Sequence, residues 1–183
     1  RGDLQFRTTA RLSWLAAERY GELPAVVDDD AQLSFRELAA ESQKVEKALI
    51  ASGIEHGDRI SIWAPNMLEW IVAALGAQAA GGVLVPINTR YKALEASYLL
   101  QKSEARVLFT VTDFLGTDYV ELLREAQPDL PQLQDIGVLR GEAPEGSVDL
   151  QAFVERGQSV SDEQAAARRD SVQPEDLSDI LFT

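Results

Sequence analysis

Apolar residues along this chain recur by turns at helical and at strand spacing. Phe35, Leu38, Val45 and Leu49 share one helical face, with Arg36, Glu41, Lys44 and Lys47 mostly elsewhere. Ser34 stands just before that run and Glu37 three residues later, the spacing of a capping box. In such a box the Ser34 hydroxyl accepts from the Glu37 amide, and the Glu37 carboxylate accepts in return from the Ser34 amide. Gly53 supplies the stop. Upstream, Trp14 to Tyr20 closes a first helix. Ala25 to Val27 and Leu33 flank Asp28, Asp29 and Asp30 as a short hairpin, whose three acids are expected to be solvated.

After the Gly57-Asp58 turn, Arg59 to Trp63 forms a short apolar strand that ends at Pro65-Asn66, and Asn66 is expected to cap the next helix. From Met67 to Ala80 that helix is apolar nearly all round. Ala73, Ala74, Gly76, Ala77, Ala79 and Ala80 leave room for close backbone approach, so it must be covered on several sides. Val83 to Val85 is a strand, Lys92 to Lys102 a helix and Arg106 to Thr110 a strand. This order predicts an α/β layered fold, with a mostly parallel sheet and helices on both faces.

Past Val111 the pattern weakens. Tyr119 to Ala126 and Leu150 to Arg156 look helical, Ile136 to Leu139 looks like a strand, and Gly141 to Gly146 is a polar loop rather than a domain linker. Asp176 to Thr183 builds an acidic turn and then a strand containing Leu181 and Phe182. Bulky residues of that kind need a covering element, so the chain is expected to be an incomplete piece of a larger fold.

Composition narrows the function classes. At 183 residues the chain suits one domain or large subdomain, able to bury about 70% of the surface its unfolded form exposes. A net charge of -13 repels phosphate backbones and anionic lipid, which argues against nucleic acid and membrane surfaces as partners. Positive charge must then be local wherever an anion binds. The absence of cysteine removes disulfide and thiolate chemistry and fits a reducing compartment, with the cytoplasm the default. Trp70 to Ile87 approaches the length of a membrane span, but Gln78 interrupts it and Gly81, Gly82 and Pro86 break it, so no transmembrane segment is expected.

Leu33-Ser34-Phe35-Arg36-Glu37-Leu38, Gly57-Asp58-Arg59-Ile60, Pro65-Asn66 with Glu69-Trp70, Ala79-Ala80-Gly81-Gly82 and Val85-Pro86-Ile87-Asn88-Thr89-Arg90 come in the order and at the spacing of the adenylate-forming superfamily. The chain resembles the N-terminal part of its large AMP-binding domain from about Leu12 onward, with Val111 to Gln173 matching loosely. Bacterial acyl-CoA ligases of fatty or steroid-derived acids are the most similar branch. Asp176 to Thr183 is similar to the lead-in to that family's phosphate loop, of which Thr183 would be the first threonine. The resemblance implies a ligase that uses ATP and magnesium to convert a carboxylic acid into an acyl-adenylate and then transfers the acyl group to CoA. It implies also that residues 1–183 alone are inactive, because the rest of the phosphate loop and the domain with the catalytic lysine would follow Thr183.

The same resemblance assigns Thr183 to the ATP phosphates and Arg90 to the CoA nucleotide, where a guanidinium suits phosphate. No residue of the chain is assigned a catalytic or metal-binding role. Thr183 could instead be an ordinary β-former and Arg90 an ordinary surface arginine. Trp63, Asn66 and Trp70 suit an acyl tunnel, but a core and cap role is the plainer reading. Lys92 stands where relatives place a threonine, which leaves the next helix start to Thr89 or Glu95. His56, the only histidine, sits in a turn beside Gly57 and suits neither a triad nor a metal site. An amino-acid adenylation domain and a non-catalytic acidic binding or dimerisation module remain alternatives, and a homodimer is left open.

Overall fold

The computed structural model of the chain describes residues 7–126 and 128–182. A turn of 3-10 helix leads into α1 (Leu12–Tyr20), then the hairpin β1 (Pro24–Asp28) and β2 (Ala31–Ser34), and then α2 (Phe35–Ala51). The capping box at Ser34 forms as the spacing predicts: the Glu37 amide donates to Ser34 Oγ at 3.2 Å, and the Ser34 amide donates to the Glu37 carboxylate at 2.8 Å. At the far end Gly53 adopts a φ of 78°, a left-handed value that glycine tolerates.

The main sheet follows: β3 (Arg59–Trp63), α3 (Leu68–Ala79), β4 (Val83–Pro86), α4 (Ala93–Ser103), β5 (Val107–Val111), α5 (Tyr119–Glu125), β6 (Asp135–Arg140), β7 (Val148–Asp149), α6 (Leu150–Glu155) and α7 (Asp162–Ser171). Its strand order is β4-β3-β5-β6-β7, and every neighbouring pair is parallel. Right-handed crossovers set α3 on one face and α4 and α5 on the other. Packing agrees, for α3 lies on α2 while α4 lies against α5. The central strand β5 is buried throughout and β3 is buried from Ile60 to Trp63, as a parallel sheet requires, and Phe109 meets Phe153 of α6 edge-on at 5.1 Å.

Small residues let the two long helices close on one another. A Cβ placed on Gly76 would stand 2.7 Å from Val45 Cβ and 2.8 Å from the Ser42 carbonyl oxygen. The tail differs from the expected strand. Asp179 makes a parallel bridge to Leu84 at the free edge of β4. Ser178, Ile180 and Phe182 turn a half-buried face inward while Leu177 and Leu181 stay exposed, and among the described residues the pairing is confined to that bridge.

Candidate functional site at the carboxyl ends of the strands

The strand order reverses between β3 and β5, whose following helices lie on opposite faces. In such sheets a crevice opens at the carboxyl ends of the strands. Strand β3 delivers Trp63 there, fully buried, and its indole Nε1 donates to the Asn88 carbonyl at 3.2 Å. Thr110, at the end of β5, donates its hydroxyl to the Trp63 carbonyl at 2.8 Å. Tyr119, from the first turn of α5, sits edge-on to Trp63 at 4.6 Å and donates its hydroxyl to the Thr89 carbonyl at 3.1 Å. Burial raises the Tyr119 phenol above its ordinary value, which keeps it a donor at neutral pH.

These bonds grip the turn between β4 and α4. Inside it the Arg90 amide donates to Asn88 Oδ1 at 2.9 Å and the Tyr91 amide to the Asn88 carbonyl at 3.0 Å. The turn presents Arg90 and Lys92, both exposed and both without an ion pair among the described residues. Most other cations are engaged: Arg59 with Glu104, Arg106 with Asp58, Arg156 with Asp135, Arg168 with Glu55. In a chain of net charge -13, two unpaired cations on one turn form a local site of the sign an anion needs. Beside the turn is a groove of about 400 Å³, with Pro65, Asn66 and Trp70 on one wall and Pro86, Asn88 and Thr89 on the other.

The expected site residues are therefore split. Asn66 and Trp70 line the groove, whereas Trp63 is core behind it, as its burial requires. Asn66 does not cap α3. Met67 holds the cap position, and the Leu68 amide donates at 3.1 Å to Asp28 Oδ2, which the hairpin brings over the helix start. Asp28 is accordingly not a solvated tip residue. It also pairs with Arg140 at 3.0 Å, and the Leu68 amide first, then Arg140, hold its carboxyl below the usual range. With that carboxylate in place, the positive end of α3 is already compensated.

At α4 the Glu95 carboxylate accepts from the Lys92 amide at 2.7 Å and so takes over the start of the helix. His56 lies at the opposite, amino end of the sheet, 3.0 Å from Asp176. Thr183 lies outside the described residues. Among the described residues no group of three or more His, Asp or Glu side chains is placed to hold a metal ion, and no helix is long and apolar enough to cross a membrane. Tyr119 and Thr110 escape a sequence reading, because nothing local says that a helix-start tyrosine and a strand-end threonine reach one loop.

A family model of AMP-binding enzymes matches residues 14–183. The chain belongs to the AMP-binding enzyme family. Over 171 residues it is 39% identical to the 3-(7a-methyl-1,5-dioxo-octahydro-inden-4-yl)propanoyl:CoA ligase of Rhodococcus jostii, with 92% of this chain and 33% of that protein covered. The Mycobacterium tuberculosis ligase of the same name is 40% identical over 159 residues, covering 87% of this chain and 30% of the relative. The chain thus spans about a third of the length of the curated relatives it matches.

Solved structures agree on the architecture. The coronafacic acid ligase of Pectobacterium brasiliense superposes with a TM-score of 0.79 at 21% identity, over 96% of this chain and 33% of that one, a likeness of fold. The anthranilate CoA ligase AuaEII, solved with anthranoyl-AMP, gives a TM-score of 0.73 at 25% identity, over 81% and 28%. The parallel sheet and its flanking helices are thus an architecture these ligase structures share.

Proposed function

We propose that the protein carrying this chain is an ATP-dependent acid-thiol ligase, and that residues 1–183 are the N-terminal part of its large AMP-binding domain. A carboxylate oxygen attacks the α-phosphorus of ATP and pyrophosphate leaves, which turns that oxygen into part of a good leaving group. The CoA thiol then gives up its proton as its sulfur attacks the acyl carbon, the bond to AMP breaks, and acyl-CoA and AMP are released. The observation that carries this reading is the 39% identity, sustained over 171 residues, to a relative named as a (methyl-dioxo-octahydro-indenyl)propanoyl:CoA ligase.

The substrate in this reading is an apolar carboxylic acid, fatty or ring-bearing, in keeping with the ring-bearing acid in the names of the two relatives. Arg90 meets a phosphate of the CoA nucleotide and Lys92 adds to the field there. Thr183 places its hydroxyl at the ATP phosphates. Magnesium belongs to the whole ligase in this proposal, and none of the described residues is assigned to it. The chain by itself carries neither half-reaction, and the substrate pair ATP and CoA goes with a cytoplasmic location.

Arg90→Ala in the full-length protein tests the assignment. Loss of one charge-assisted phosphate contact should raise the KM for CoA by about tenfold or more. Exchange of pyrophosphate into ATP, which needs no CoA, should stay at the wild-type rate. An unchanged KM for CoA removes Arg90 from the site.

A further inference from the structure

We infer that Tyr119 and Trp63 are positioning residues that lock the backbone of the Asn88–Tyr91 turn, so that the cationic turn meets its anion already ordered. The inference deepens the proposed ligase reading and rests on it for the identity of the anion, CoA. The clamp itself rests on geometry.

Two consecutive carbonyls of the turn, those of Asn88 and Thr89, accept from the buried indole of Trp63 at 3.2 Å and from the Tyr119 hydroxyl at 3.1 Å. The donors come from different elements, β3 and α5, and their rings brace one another edge-on at 4.6 Å. Thr110 fixes the backbone beneath Trp63 at 2.8 Å. From the other side, the amides of Arg90 and Tyr91 are bound within the turn to Asn88. Both hydrogen-bonding sides of this short exposed segment are thus used.

Surface loops ordinarily leave such carbonyls to water, and a loop that carries an exposed arginine gains affinity when its ordering cost is met before the ligand arrives. A buried indole N–H and a buried phenol O–H each need an acceptor, and these two, from different elements, both take theirs from consecutive carbonyls of this one turn.

Tyr119→Phe removes the hydroxyl and keeps the ring. Hydrogen exchange on the full-length protein should show faster exchange of the Arg90 and Tyr91 amides, while those of β3 and β5 are unchanged. In the full-length ligase the same variant should raise the KM for CoA roughly fivefold, the effect of about one hydrogen bond, with ATP-pyrophosphate exchange unaltered. Trp63→Phe is a second variant and should accelerate the same two amides. Unchanged exchange at Arg90 and Tyr91 in Tyr119→Phe overturns the clamp, as does a loss of both half-reactions in proportion to a fall in melting temperature. If the amides loosen but the wild-type protein forms no acyl-CoA, the clamp stands and the ligase reading fails.

Discussion

Asp28 caps a helix that begins forty residues further along the chain: its Oδ2 accepts from the Leu68 amide at 3.1 Å. Arg140, at the end of β6, donates to the same oxygen at 3.0 Å and to Glu69 in the first turn of α3 at 2.7 Å. One carboxylate thereby joins the hairpin, the start of α3 and the far side of the sheet. The Leu68 amide and then Arg140 depress its pKa, so its stabilisation is full above the usual aspartate range and fades as pH falls through the depressed value, below about 4. Asp28→Ala should lower the melting temperature at pH 7, with the gap to wild type closing toward pH 2 to 3. Thermal unfolding followed by circular dichroism across that range checks this, and a gap that is constant with pH contradicts it.

Ser34→Ala removes one half of the capping box at the start of α2. The Glu37 amide loses its acceptor, and the cost should be about 1 kcal/mol in urea unfolding. A change below a few tenths of a kcal/mol would mean that water replaces the hydroxyl at no cost.

Gly76→Ala tests the contact between α2 and α3. The added methyl would press on Val45 Cβ at 2.7 Å and on the Ser42 carbonyl at 2.8 Å, neither at the flexible end of a side chain. Overpacking should therefore outweigh the helix propensity gained, with a net loss of about 1–3 kcal/mol. A more stable variant would show that the two helices separate freely.

Glu46 of α2 is fully buried, 2.7 Å from Arg169 of α7, whose guanidinium lies 3.7 Å from the centroid of the Trp14 ring. Burial pushes the Glu46 carboxyl up to about 8 against the opposing pull of Arg169. A raised value means that the folded state favours the proton. The stability is then full below the usual glutamate range and falls as pH rises from there through about 8. Glu46→Gln should flatten that slope between pH 5 and 9. Arg169→Ala, which strips the hydrogen-bond partner of Glu46 and the guanidinium over Trp14, should cost about 1–3 kcal/mol at neutral pH. A wild-type stability that is level from pH 5 to 9 contradicts the account of Glu46.

The parallel sheet and its helices on both faces were legible because β3, β5 and α3 bury continuous apolar runs, and burial is what hydropathy reports. The box at Ser34 was legible because its partners lie three residues apart. Helix α7 was not, since it buries only Ala165 and Arg169 and shows no apolar stripe; the pair Ser161 and Gln164, a second capping box, was its available sign. Strand β7, two residues long after a polar loop, left no periodicity. At the site, Asn66 drew the cap assignment because it precedes the helix, whereas the true acceptor is Asp28, which only the fold brings near. The gripping of Asn88 and Thr89 by Trp63 and Tyr119 was hidden for the same reason. Arg90 was visible as a residue, but its lack of an ion pair among the described residues depends on where every acid folds.

In the proposed function this parallel sheet belongs to a carboxylic acid:CoA ligase. The direct measurement is isotope exchange between pyrophosphate and ATP by the full-length protein, run with a panel of fatty, ring-bearing and amino acids, followed by mass spectrometry for CoA thioesters. Exchange should require an apolar carboxylic acid, and the thioester of that same acid should appear once CoA is added. Exchange driven by amino acids alone, or an adenylate that never passes to CoA, would contradict the account.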